Sequence, residues 1–253
     1  MKIQVLGTGT SQGIPVIACD CPVCTSNDPK DTRLRCSIYI EVDNLKLVVD
    51  IGPDFRMQML NADIKDIDAI LMTHEHNDHS AGLDDVRPFN FKYKKDIPLY
   101  SSLAVQEDLR QRFQYVFKTS DYPGAPRINL KAIENVPFKI EKTQIHPILV
   151  QHGSMPVFGF RINQFTYITD AKEIKEEELA KVKGSQVLIL NALQKKEHFS
   201  HLNLSEALQI IEKINPEKAY LTHVSHLMGK SQDISKELPP HVELCYDGLA
   251  FEL

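Results

Sequence analysis

The 253-residue sequence has no run approaching the roughly 18 consecutive apolar residues of a membrane span, so no bilayer-crossing helix is expected. Its first residues, MKIQVLGTGTSQG, lack the long apolar core of a secretory signal, and a cytoplasmic location is the expectation. Basic residues are not in excess: 29 Lys and Arg stand against 34 Asp and Glu, for a formal net charge of -5. That balance gives no support for a nucleic-acid footprint, although a local basic patch is compatible with it. A disulfide framework is missing too. The five cysteines are odd in number, and three crowd into Cys19-Asp20-Cys21-Pro22-Val23-Cys24, a spacing that suits reduced thiolates on a metal better than secreted cross-links. No shift in composition marks an internal boundary, and one domain over residues 1–253 is expected.

With 42% hydrophobic and 25% charged residues, the chain has the material of an ordinary globular core. Short apolar runs alternate with amphipathic stretches, the pattern of an α/β sandwich. The β-rich runs are Lys2–Leu6, Ser37–Val42, Leu45–Asp50, Ala69–Met72 and Leu99–Ser101 in the first half. Thr143–Val150, Phe158–Ile162, Phe165–Ile168, Val187–Asn191, Ala219–Thr222 and Glu243–Glu252 follow in the second. Asp43-Asn44 reads as a two-residue hairpin turn. Helices are expected over Pro53–Ala62, Leu103–Phe113, Lys175–Val182 and Ser205–Ile214. Strands occur both in hairpins and between helices, which disfavours a purely parallel sheet and favours a mixed sandwich with helices outside two sheets. The turn-rich segment Thr119–Pro126 is read as joining two halves. Those halves echo one another: Ala69–His74 and Ala219–His223 are each an apolar strand ending in Thr-His, which predicts two histidines delivered to one sheet edge.

His74-Glu75-His76-Asn77-Asp78-His79 sets four potential metal ligands within six residues, directly after an apolar strand. In extended chain His74 and His76 point the same way, while Asp78 and His79 fall on the next turn and aim at a neighbouring point. That arrangement allows two metal ions, and imidazole with carboxylate suits zinc, manganese or iron. Six residues cannot fill two coordination shells. Further candidates are His152, Asp170 and His223, each just after a strand-like run, with Asp170 able to bridge.

Cys19, Cys21 and Cys24 form a C-x-C-x-x-C array suited to a closed tetrahedral zinc site, with His226 as the best fourth ligand; reduced, packed cysteines are the alternative. Cys36 and Cys245 lie in apolar runs and read as core residues. Gly7, Gly9 and Gly13 follow the first strand without the Lys-Ser/Thr of a phosphate-binding loop, and are read as turns bringing backbone near the metal edge. Phe91-Lys92-Tyr93-Lys94-Lys95 is basic and aromatic, yet short enough to be a solvated face.

The HEHNDH run matches the H-x-H-x-D-H signature of the metallo-β-lactamase superfamily, and His152, Asp170 and His223 follow in that superfamily's order. The resemblance spans nearly the whole chain and implies an αββα sandwich of two mixed β-sheets flanked by helices, with a dinuclear centre at one edge. Gly7–Pro15, the cysteine array and Leu221–His226 together resemble the phosphoribosyl 1,2-cyclic phosphate phosphodiesterases of the carbon–phosphorus lyase pathway. That resemblance implies a structural zinc on Cys19, Cys21, Cys24 and His226, a histidine near the scissile phosphate at His201, and a homodimer. His198 stands as a rival to His201. The expected ligand sets are His74, His76 and His152 for one metal and Asp78, His79 and His223 for the other, bridged by Asp170. Asp78 orients the attacking water and His201 stabilises the phosphoryl group or protonates the leaving oxygen. The expected substrate is a small phosphodiester. Ribonuclease Z-like tRNA 3′ processing and hydrolysis of a thioester or lactone are alternatives, followed by a non-catalytic metal- or RNA-binding module.

Overall fold

The computed structural model describes residues 1–118 and 124–253. Residues 119–123 of the expected connecting turn lie outside them. The first half supplies β1 (Lys2–Gly7), β2 (Ser37–Val42), β3 (Leu45–Val49), β4 (Ala69–Leu71), β5 (Ile97–Ser101) and β6 (Ile128–Ala132). The second supplies β7 (Phe138–Ile140), β8 (Thr143–His152), β9 (Met155–Ile162), β10 (Phe165–Ile168), β11 (Val187–Asn191), β12 (Lys218–Thr222), β13 (Val242–Leu244) and β14 (Ala250–Glu252). Helices α1 (Phe55–Asn61), α2 (Asn77–Ser80), α3 (Arg87–Tyr93), α4 (Leu103–Arg112) and α5 (Gln114–Phe117) belong to the first half. In the second are α6 (Glu176–Val182), α7 (Leu204–Ile214) and α8 (Ser231–Ile234). Among the described residues no helix is long and apolar enough to cross a membrane.

The strands form two seven-stranded sheets, ordered β14-β1-β2-β3-β4-β5-β6 and β13-β12-β11-β10-β9-β8-β7. Each is antiparallel on one side and parallel on the other: β3 to β6 run parallel in the first, β10 to β13 in the second. The alternation of side chains along each strand makes the layers. Ile38, Ile40, Leu47, Val49, Ala69 and Leu71 face the core between the sheets, where Ile189 and Tyr220 meet them from the other side. Their sequence neighbours Tyr39, Val48 and Ile70 turn outward to Phe55, Phe89 and Leu109 of the flanking helices. Leu188, Leu190 and Leu221 do the same toward Leu179, Ala207 and Ile211. The mixed αββα sandwich is therefore what the structure contains.

Three departures from the sequence reading have physical causes. Glu243–Glu252 is not one strand: β13 pairs with β12 and β14 with β1, so the chain crosses from one sheet to the other through Asp247-Gly248. The strands β6 and β7 carry mostly exposed and half-exposed residues, and α3 begins at Arg87-Pro88, so none of the three has a clean apolar period. The Thr-His echo does deliver two histidines to one edge of the sandwich, but from two sheets, since β4 and β12 lie in different ones. Asp43 and Asn44, with φ of 53° and 70°, make the expected tight hairpin between β2 and β3.

Parallel strands β3 and β4, β10 to β12, and β8, which runs antiparallel to β9 and so alongside β10, all end at the same edge. There the backbone is packed without slack. A Cβ on Gly52 would sit inside the envelope of the Asp78 carbonyl oxygen, and one on Gly82 would overlap the Gly52 carbonyl. Gly52→Ala should therefore push α2 away from the end of β3 and cost about 1–3 kcal/mol, the usual range for overpacking, measurable as a lowered midpoint in urea denaturation.

Candidate metal centre

The site grows from strand ends. After β3, Asp50 takes φ 63°; after β10, Asp170 takes φ 57°; after β12, His223 takes φ 56°. Non-glycine residues in the left-handed region are uncommon, and three of them at one edge mark a place where the chain is bent sharply to aim side chains. His74 and His76 leave the end of β4. His76 caps α2, whose first turn carries Asp78 and His79.

The donor atoms of Asp78, His79, Asp170 and His223 lie within 4.8 Å of one another, and so do those of His152, Asp170 and His201. Asp170 belongs to both groups. Its Oδ2 is 3.2 Å from His79 Nε2 and 3.1 Å from His223 Nδ1, while its Oδ1 is 3.8 Å from His201 Nδ1. Asp78 Oδ2 is 3.1 Å from the same His79 nitrogen. His74 and His76 pair with each other, Nε2 to Nδ1 at 3.1 Å, and their rings stand 6.0 and 5.3 Å from that of His152. The structure thus brings all seven candidates and His201 to one place. His198 stands one step back, 5.2 Å from the His201 ring.

This group of side chains has the chemistry of a cation site. Imidazoles and two carboxylates converge in a buried space, and His79 Nε2 and His201 Nδ1 have no hydrogen-bond partner of acceptable geometry there. Buried polar atoms without partners are costly, and divalent ions would satisfy this donor set. The electrostatics fit as well. Burial alone would depress the His79 imidazole, but Asp78, Asp170 and Asp50 hold it well above its usual value. Burial would raise Asp170, and His223 with His79 pulls it well below the usual carboxylate range. His74 lies well below, through burial and then the His79 charge. His201 is pushed down to about 3 by burial and then by His223, so it is neutral near pH 7.

An outer layer orients these groups, and most of it escaped the sequence reading. Asp50 is fully buried; its Oδ2 lies 2.7 Å from His79 Nδ1 and accepts from Thr73 Oγ1, while its Oδ1 accepts from Thr73 N. Thr73 Oγ1 is also 2.9 Å from His74 Nδ1. His152 Nδ1 donates to the Ser200 carbonyl at 2.8 Å, and Thr10 Oγ1 is 3.2 Å from His223 Nε2. The glycine-containing loop after β1 therefore rests on the edge, with Gly9 paired to Val224. Arg112 of α4 bonds to Asn77 Oδ1, the Glu75 carbonyl and Ser80 Oγ, bracing the histidine-rich turn from outside. The one available sequence signal was Asp50 itself, an acid closing a buried strand as Asp170 nearly does.

A second cluster lies beside the first. His226 Nδ1 is 3.2, 3.4 and 3.5 Å from the sulfurs of Cys19, Cys21 and Cys24. The Cys24 backbone N–H, with burial opposing it, holds the Cys21 thiol down to about 6. Burial lifts Cys24 to about 11. Cys36 and Cys245 are buried in the interior. Lys95 of the basic aromatic run is tied to Asp66 and Asp68.

Because Asp50 holds the His79 ring from behind, Asp50→Asn should weaken divalent-metal affinity about 10–100-fold, the range typical of outer-layer partners. Competition titration with a fluorescent chelator measures it.

Comparison with known proteins bears on this geometry. Residues 46–224 match the family described as beta-lactamase superfamily domain. A solved structure of a diphosphatase from the PhnP family aligns over 100% of this chain and 97% of its own, at 35% identity and a TM-score of 0.93. An octanoyltransferase of Porphyromonas gingivalis is 37% identical over 252 residues, 98% of this chain and 51% of that protein, so the chain spans about half the length of that curated relative. Zinc-bound PqqB of Methylobacterium extorquens, at 17% identity and a TM-score of 0.79 with both chains fully covered, shares the fold. The chain belongs to the beta-lactamase superfamily domain family and has the metallo-β-lactamase fold of metal-dependent hydrolases, similar to the PhnP family.

Proposed function

We propose that this chain hydrolyses a small phosphodiester, most specifically of the phosphoribosyl 1,2-cyclic phosphate class. The observation that carries the reading is the position of His201. Its buried Nδ1 has no partner and faces Asp170 at the rim of the cation site, where a tetrahedral phosphoryl group would present an oxygen. A neutral imidazole there can donate a hydrogen bond to that oxygen or to the departing one without adding a fixed charge. His74, His76 and His152, whose rings lie side by side, would hold one divalent ion, and Asp78, His79 and His223 the other, with Asp170 between them; zinc and manganese both suit the donors. Two such ions would supply Lewis acidity toward a phosphoryl oxygen and would lower the pKa of a water toward neutral pH. Asp78, held below the usual carboxylate range with burial opposed by His79, stays ionised and can orient that water. Cys19, Cys21, Cys24 and His226 would hold a structural zinc that locks the loop after β1 against the loop after β12.

The activity named for the PhnP-family relative, a diphosphatase, is also phosphorus–oxygen cleavage. Acyl transfer is named for a protein twice this length, and it draws no support from the cysteines here. Three are gathered on His226, and burial pushes the Cys36 thiol up to about 12 and Cys245 well above the usual value.

A substrate panel on metal-analysed protein tests the reading: phosphoribosyl 1,2-cyclic phosphate should be turned over fastest. Precursor tRNA cleavage at comparable rate would favour a ribonuclease Z-like role, and preference for a thioester, lactone or β-lactam would overturn the phosphodiesterase. His76→Ala should lower both bound metal and turnover, the latter by at least about 100-fold, as loss of a metal-activated nucleophile requires. Cys21→Ser should release one zinc equivalent by elemental analysis and lower thermal stability, while the other metals remain bound.

A further inference from the structure

The loop joining β11 to α7 carries the run Lys195-Lys196-Glu197-His198-Phe199-Ser200, in which one phenyl ring sits among polar residues. Phe199 is 83% exposed. The loop around it is well anchored. Leu193 N bonds to Leu202 O at 2.9 Å, Leu204 N to Gln194 O at 2.9 Å and Leu202 N to Ala171 O at 2.8 Å. The residue after Phe199 is held as well, because the Ser200 carbonyl takes the His152 Nδ1 proton. Short backbone pairs on both sides and a site contact next door mean that the ring is presented to solvent by a braced turn.

The ring stands at the end of a row. His201 stacks on His223 with centroids 4.8 Å apart and planes at 24°. His198 follows at 5.2 Å from His201, and Phe199 at 4.7 Å from His198 with planes at 32°. Aromatic faces thus lead from the cation site to the surface in two steps beyond His201. Ser200 bonds toward His198 Nδ1 and fixes that ring's orientation.

We infer that Phe199, backed by His198, is a stacking platform for a planar ring, and that it extends the substrate range from phosphoribosyl cyclic phosphates, which lack such a ring, to phosphodiesters bearing a nucleobase or similar heteroaromatic group. A phosphate seated beside His201 would project its organic part along this row, the relation of phosphate to base in a nucleotide. Stacking is tolerant of base identity because every base offers a π-face, so the platform would tighten binding of any base-bearing diester rather than read its sequence letter. The inference rests on the phosphodiesterase reading of the same site and adds a substrate feature that the metal ligands cannot read.

The test compares two substrates with the same five-membered cyclic phosphate, adenosine 2′,3′-cyclic phosphate and glycerol 1,2-cyclic phosphate, on the metal-loaded full chain. Phe199→Ala should raise KM for the adenosine substrate by about tenfold, the scale of one base–aromatic contact, with kcat little changed and glycerol cyclic phosphate kinetics unaffected. Phe199→Trp should restore the low KM. Binding of 2-aminopurine riboside monophosphate supplies a readout independent of turnover: its fluorescence should be quenched by the native protein and by Phe199→Trp, and not by Phe199→Ala. Equal effects of Phe199→Ala on both substrates, or on neither, would overturn the platform. Failure of the native protein to cleave any diester would instead sink the phosphodiesterase reading, and the fluorescence experiment would still decide the role of Phe199.

Discussion

The buried carboxylate of Asp50 is the constraint on which the edge of this sandwich depends. It sits where β3 ends in a left-handed residue, and its two oxygens reach the backbone and hydroxyl of Thr73 and the Nδ1 of His79. Those contacts join the strand β3, the exit of β4 and the first turn of α2 in one hydrogen-bonded unit. Through Thr73 the unit extends to His74. Burial pushes the Asp50 carboxyl above the usual carboxylate range, and the opposing compensation comes from His79 and Thr73, the residues that must be aimed. With its Nδ1 taken by Asp50, the His79 ring turns its other nitrogen toward Asp78 and Asp170.

The same logic recurs around the centre with different partners. Ser200 takes the back of His152, Thr10 the back of His223, and Arg112 grips the backbone and side chains of the turn between His74 and Ser80. His223 differs from His79 and His152 in facing Asp170 through Nδ1, because Thr10 occupies its Nε2. The outward partner decides which nitrogen remains for a metal. The loop after β1 is in turn held against the loop after β12 by Gly9–Val224 pairing and by the gathering of three sulfurs on His226. The cysteine cluster and the candidate metal centre therefore share the segment from Thr222 to His226.

Much of the chemistry was local enough to be read along the chain. Four ligands in six residues, and three cysteines in six, announce metals by spacing alone, since a strand end and a tight turn leave such side chains few directions to point. The apolar runs Ser37–Val42 and Ala219–Thr222 likewise marked two strands, β2 and β12. Weakly patterned elements were missed: β6 and β7 at the far edges of the sheets, and the short helices α2, α3, α5 and α8, which have little apolar face of their own.

By itself, then, the sequence showed the ligand-rich run His74–His79, the crowding of cysteines at Cys19–Cys24 and the mixed α/β layering, because each is written in spacings of a few residues. Only the tertiary structure decided that Asp50 and Thr10 stand behind the ligands, that His201 and not His198 faces Asp170, that Glu243–Glu252 divides between two sheets, and that Phe199 is exposed beside His198. Those facts depend on contacts between segments far apart in the chain. Asp50 and His79 are 29 positions apart, Thr10 and His223 are 213 apart, and no local period records which distant strand end will lie opposite.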